Sequence, residues 1–140
     1  MLSNFEVADR LHSSAIHLLR SVRREDASAG VPPAQLSALS VLVFGGPQTV
    51  GGLAGLEQVR SPTMTRIVTG LVDAGLAARE PHPADARSTV VTATGRGREV
   101  LLEGRRRRVS VIEARLEALG AGERALVERA IDALEKLSRG

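Results

Sequence analysis

The segment TVGGLAGLEQVRSPTMTRIVTGLVDAGLAAREPHPADARSTVVTAT, from Thr49 to Thr94, constrains this chain most, because its own punctuation sets the order of its elements. Thr49 to Leu56 reads as a short helix. In the next helix Ser61 is a favoured N-cap residue, Pro62 fits the first helical position, where no amide donor is needed, and Gly75 supplies a left-handed residue after the last turn. Ala77 to Glu80 and Ser88 to Thr92 read as extended, the second rich in Thr and Val, and PHPADA between them forms a turn. Two helices in a tight turn are thus followed by a charged hairpin, in a chain that is otherwise mainly helical.

The flanks are helical by periodicity. Ala8, Leu11, Ala15, Leu18, Leu19 and Val22 recur at steps of three and four and mark a first helix that ends in the charged patch Arg23 to Asp26. Gly30, Pro32 and Pro33 punctuate the chain before Leu36, Leu39, Leu42 and Val43, a second helix stopped at Gly45, Gly46 and Pro47. Thr94 can cap a long helix with the stripe Leu102, Val109, Ile112, Leu116 and Leu119, and after Gly120 a last helix carries Val127, Ala130, Ile131, Leu134 and Leu137. At 1.5 Å per residue the helix over about 95–119 is roughly 36 Å long. That is too long for so small a chain to cover, so its apolar stripe is expected to meet another subunit.

The chain has 140 residues, enough for one domain with a single core, and no apolar run of membrane-spanning length. Acidic residues rather than a basic, apolar leader mark MLSNFEVADR, so a cytoplasmic location is expected. There is no cysteine, which excludes disulfides, thiolate metal sites and thiol switches, and leaves sulfur only in Met1 and Met64. Of 19 basic residues only Lys136 is a lysine, so the positive surface is arginine, whose fork suits phosphates and guanine edges. The positive excess is local. Residues 60–108 hold ten basic and five acidic side chains, whereas the segments on either side are each acidic by one. A localised basic region is the footprint of a polyanion-binding surface, and its competing reading is a solvated basic face.

Wound as a helix, the segment after Ser61 puts Met64, Ile67, Val68, Leu71 and Val72 on one face, able to pack on Leu53 and Ala54. The opposite face carries Pro62, Arg66 and Thr69, flanked by Thr63 and Thr65, while Gly70 leaves the backbone open to close approach. In a helix-turn-helix the N-terminal part of the second helix enters the major groove, which places Ser61, Thr63, Thr65 and Arg66 to touch DNA. Arg66 suits a guanine O6/N7 pair and the threonines a phosphate or a thymine methyl. The competing reading has Arg66 holding an acidic neighbour and the threonines as plain surface. At the hairpin tip Arg87 suits a narrow minor groove, Asp85 orients Arg87 or nearby backbone, Arg79 supports the wing, and His82 is a solvated turn residue.

Jointly these residues resemble the MarR family of bacterial transcriptional regulators, over nearly the whole chain. The resemblance rests on Leu53-Ala54, on Ser61-Pro62-Thr63-Met64-Thr65-Arg66, on Leu71 to Leu76, on the wing Asp85-Ala86-Arg87, and on Ala93-Thr94 with Gly97. It implies a single MarR-type domain, with a winged helix-turn-helix DNA-binding lobe over about 33–93 and a helical dimerisation region over about 1–30 and 95–138. It further implies a homodimer held by the first and the last two helices, reading a pseudopalindromic operator in double-stranded DNA. Many such proteins are repressors released by a small anionic or phenolic effector bound between the dimerisation helices and the DNA lobe. Two positions depart from the family pattern, Ala86 where a second arginine is common and Ala93 where a leucine is. The first weakens the wing contacts.

Other constellations point elsewhere only faintly. Arg105, Arg106, Arg107 and Arg108 sweep most of the way round a helix, and either Arg105 or Arg106 interrupts the stripe between Leu102 and Val109. They read as an anion contact in the cleft or as snorkelling side chains paired with Glu103 or a partner subunit. His12 and His17 are five residues apart and do not share the i, i+4 face that a metal needs. Gly51-Gly52 and Gly45-Gly46-Pro47 lack the trailing lysine of a phosphate loop, and no nucleophile elbow or cofactor loop arranges the Ser, His and Asp residues. The expectation is therefore a DNA-binding regulator with no cofactor, no metal and no enzymatic activity. The alternative is a winged-helix architectural or protein-interaction module that binds DNA non-specifically.

Overall fold

Most helices begin where a flanking residue catches free amide donors or where proline removes one. In the computed structural model, which describes residues 1–27 and 30–140, Ser3 and Glu6 form a reciprocal capping box that opens α1 (Asn4–Val22). The helix thus starts four residues before the apolar periodicity does. A short α2 (Arg24–Ala27) follows, falling in the charged patch, and Pro33 opens α3 (Pro33–Gly45). Thr49 accepts from the Gly52 N–H at 3.0 Å to cap α4 (Val50–Leu56). Thr94 does the same for Gly97, also at 3.0 Å, at the start of α6 (Gly95–Glu117), and α7 (Ala121–Arg139) completes the chain.

The helix α5 (Ser61–Asp73) corrects one expectation. Its N-cap is Arg60, in extended conformation at φ −72° and ψ 150°, and Ser61 makes no side-chain cap bond. The reason lies in the backbone: the first intrahelical bond runs from Met64 N–H to the Arg60 carbonyl at 3.0 Å, so Ser61 and Pro62 both fall in the first turn. Pro62 still costs nothing there, since first-turn donors lack intrahelical partners. At the other end Gly75 is left-handed at φ 74°, and the bonds Leu76 N–H to Leu71 O and Gly75 N–H to Val72 O close a Schellman turn.

That turn aims the chain into β1 (Ala77–Pro81), which pairs antiparallel with β2 (Thr89–Ala93) in the register Ala77 with Ala93 and Arg79 with Val91. Gln48 joins the far side of β2 through a two-way bridge with Val91, a third short edge that local pattern did not disclose. The core lies under this hairpin. Leu39 and Leu42 of α3, Leu53 of α4, Met64, Val68 and Leu71 of α5, Val91 of β2 and Leu101 of α6 are buried together. The long helices contribute little beyond Leu101 and Val22, and α7 buries nothing within the chain. Phe5, Leu19, Val109, Leu126 and Leu137 are each more than half exposed.

Candidate nucleic-acid interface

Burial of Met64, Val68 and Leu71 against α4 dictates which side of α5 faces out. Ile67 and Val72 are half-buried beside them, and Ser61, Pro62, Thr63, Thr65, Arg66 and Thr69 are exposed. Thr65 Oγ1 donates to the Ser61 carbonyl at 2.9 Å, which spends its proton on the helix and leaves a methyl and free lone pairs for an incoming group. Arg66 forms no ion pair among the described residues.

Gly70 is not open surface. The side-chain amide of Gln35, from the first turn of α3, stands where a Cβ at this position would project, so the close approach allowed by the glycine is used inside the lobe. One residue earlier Thr69 Oγ1 accepts a hydrogen bond from Arg79 Nη2 at 3.0 Å. This bond ties β1 to the exposed face of α5, and the hairpin and the outward residues of α5 form one continuous surface.

The hairpin tip is built by Asp85. Its Oδ1 accepts the Arg87 N–H at 3.0 Å and lies 3.4 Å from Arg87 Nε, while its carbonyl accepts from Ser88 N–H. The Arg87 side chain nevertheless remains 94% exposed. His82 differs from its expectation as a solvated residue: it is half-buried, and its Nδ1 accepts the Ala84 N–H at 3.0 Å, so it shapes the turn. Two residues escaped the sequence reading. Arg60 is exposed at the N-cap of α5, next to the outward residues, and was hidden by the assumption that Ser61 capped the helix. Gln58, in the turn between α4 and α5, adopts φ 55°. A glycine would have flagged that turn.

Behind this surface lies a cavity of about 630 Å³, lined by Arg23, Val31, Leu36, Ser37, Glu57, Leu101 and Arg108 among others. Ser37 Oγ donates to Glu57 Oε2 at 2.6 Å across its wall, joining α3 to the residue that ends α4. The arginine run divides its tasks. Arg106 and Arg107 reach Glu103 at 2.8 and 3.6 Å, Arg105 lies over the Phe44 ring at 6.0 Å, and Arg108 faces the cavity. His12 and His17 are exposed on α1, and no cluster of three His, Cys, Asp or Glu suited to a metal occurs among the described residues. Among those residues no helix is long and apolar enough to cross a membrane.

Comparison with known proteins agrees with this geometry. The sequence profile of the MarR family matches residues 29–88. The HTH-type transcriptional regulator ML2140 of Mycobacterium leprae is 36% identical over 135 residues, covering 96% of this chain and 94% of its own. The transcriptional regulator Tm0710 of Thermotoga maritima superposes with a TM-score of 0.85 at 26% identity, over 97% of this chain and 96% of that one. NadR, solved in complex with 4-hydroxyphenylacetate, shares the fold at a TM-score of 0.65 and 22% identity, over 95% and 93% of the two chains.

Proposed function

The chain belongs to the MarR family of transcriptional regulators, DNA-binding proteins rather than enzymes, and from that premise we propose that it is a homodimeric repressor of a pseudopalindromic operator, released by a small effector. The observation that carries the reading is the Arg79–Thr69 bond, because it holds the arginine-tipped wing beside the outward face of α5. On this reading Ser61, Pro62, Thr63, Thr65, Arg66 and Thr69 face the major groove, and Arg87, held by Asp85, enters the adjacent minor groove. Arg60 adds a positive charge at the same end of α5. Residues of about 33–93 form the reading lobe, and about 1–30 and 95–138 form the dimerisation region.

The uncovered apolar side chains of α1, α6 and α7 support the dimer, since they belong to elements that bury almost nothing within one chain. The effector is supported by the cavity, whose largely apolar walls carry Arg23, Arg108 and Glu57 and suit a small, polar-ended molecule such as an anionic or phenolic one, and by NadR, a protein of this fold that holds such an acid. An effector releases DNA only if it binds better to a state whose lobes are not one helical turn, about 34–36 Å, apart. The protein then acts in the cytoplasm, on the nucleoid.

Selection of genomic fragments with the purified protein tests the proposal. The expected outcome is enrichment of an inverted repeat, and a screen of aromatic acids including 4-hydroxyphenylacetate then identifies release. Binding with no enriched sequence would instead establish a non-specific architectural protein.

A further inference from the structure

Resting on the reading of α5 and the wing as a DNA-binding surface, we infer that Arg79 is a positioning residue: through Thr69 it fixes the angle between wing and reading helix, and so sets the spacing between major-groove and minor-groove contacts that the protein accepts.

The two halves of α5 are held differently. Its C-terminal half is fastened to other elements: Gln35 stands against Gly70, and in the turn just past the helix Thr94 Oγ1 donates to the Gly75 carbonyl at 2.6 Å and the Thr94 N–H to the Leu76 carbonyl at 3.0 Å. The N-terminal half presents Thr63 and Arg66, which have no side-chain hydrogen bond or ion pair to another element among the described residues. Thr69 lies at the junction of these halves, and its hydroxyl oxygen receives the Arg79 guanidinium at 3.0 Å.

Arg79 stands at the centre of β1, paired in register with Val91, which is fully buried and itself bridged to Gln48. The base of the hairpin is therefore fixed by packing. Beyond Arg79 the hairpin is exposed down to the tip at Arg87 except for the buried Val90, opposite Glu80, and the half-buried His82, and the Arg79 side chain gives the outer hairpin a hydrogen bond to α5. A two-stranded ribbon with so small a packed face is weak by itself. Without this bond the outer hairpin would swing on its base, and the Arg87 guanidinium would lose its fixed distance from Arg66.

A direct phosphate contact by Arg79 is the rival account, and the two differ in what Thr69 does. A phosphate contact needs nothing from Thr69. A strut needs an oxygen there, and serine supplies one whereas valine, of the same shape as threonine, does not.

The test combines amide exchange of the free protein with binding to the selected operator fragment, for wild type, Arg79→Ala, Thr69→Val, Thr69→Ser and the Arg79→Ala/Thr69→Val double variant. The strut predicts that Arg79→Ala and Thr69→Val each speed exchange in the outer hairpin to a similar degree and raise the Kd about five- to tenfold. It also predicts that the double variant is no worse than either single one, that Thr69→Ser keeps the wild-type exchange rates in the outer hairpin of the free protein, and that the slope of log K against log salt is unchanged in Arg79→Ala. A slope that falls by about one unit in Arg79→Ala, with Thr69→Val unaffected, would overturn it in favour of a phosphate contact. Unchanged exchange in both single variants overturns it whatever the DNA result. If the wild type selects no operator, the reading of α5 fails, and the exchange data still decide the strut.

Discussion

The carbonyl of Leu76 occupies the space into which a side chain at Gly97 would grow. Leu76 follows the Schellman turn of α5 and Gly97 lies in the first turn of α6, so this contact seats the lobe on the long helix with no clearance. Thr94 reinforces it by accepting the Gly97 N–H while donating to Gly75. Any reorientation of the lobes relative to α6 has to pass through this joint.

Gly97→Ala is expected to destabilise the fold by about 1–3 kcal/mol despite alanine's better helix propensity, because the obstacle is backbone and cannot move aside. Gly95→Ala, two residues earlier with open space around it, should be neutral or mildly stabilising. Urea denaturation of the two variants checks the contrast.

Core and surface leucines of α4 should separate equally clearly. Leu53 is fully buried in the core, whereas Leu56 is 60% exposed. Leu53→Ala should cost about 2–5 kcal/mol and Leu56→Ala within about 0.5 kcal/mol in the isolated subunit, as read by denaturation under conditions that hold the oligomeric state fixed.

The proposed dimer rests on the faces that one chain leaves uncovered. Ile131 is 44% exposed on α7. Ile131→Asp should convert a dimer of 14.8 kDa subunits to monomers in sedimentation, with loss of operator binding, and a wild type already monomeric would remove the dimer from the account.

The start of α1 should be sensitive to acid. The Ser3 backbone N–H and hydroxyl both donate to the Glu6 carboxylate and hold its pKa below the usual carboxylate range. A folded-state pKa below the unfolded value contributes stability that is present above the unfolded pKa and is lost as pH falls through the folded one. Amide exchange in the first turn should accelerate as pH falls below the ordinary glutamate value of about 4.3, beyond its intrinsic dependence. Glu6→Gln should abolish that extra acceleration.

What was legible in the sequence is what depends on neighbours in sequence. Thr94 and Gly75 declared helix limits because capping and left-handed turns are settled within four residues. Ser61 misled, since cap propensity favoured it, while the backbone bond from Met64 to Arg60 placed the helix start one residue earlier. The Ser3–Glu6 box was equally local, but apolar periodicity starts only at Ala8 and drew the boundary there. The outward residues of α5 followed from its buried stripe alone. The Arg79–Thr69 and Ser37–Glu57 bonds join different elements across ten and twenty residues, and the bridge from Gln48 reaches Val91. Spacing carries no sign of such pairs, because they exist only once the elements have docked.

On the proposed function, a surface made of α5 and the wing reads one DNA sequence. Titrating the selected operator and a scrambled fragment across a salt series, with wild type, Arg87→Ala, Thr63→Ala and Thr65→Ala, tests it most directly. Because Arg87 is 94% exposed, its removal should leave thermal stability unchanged while weakening binding and lowering the salt slope by about one unit. The threonine variants should alter base preference with little change in slope. Equal affinity for both fragments, or binding unmoved by all three substitutions, would contradict the claim.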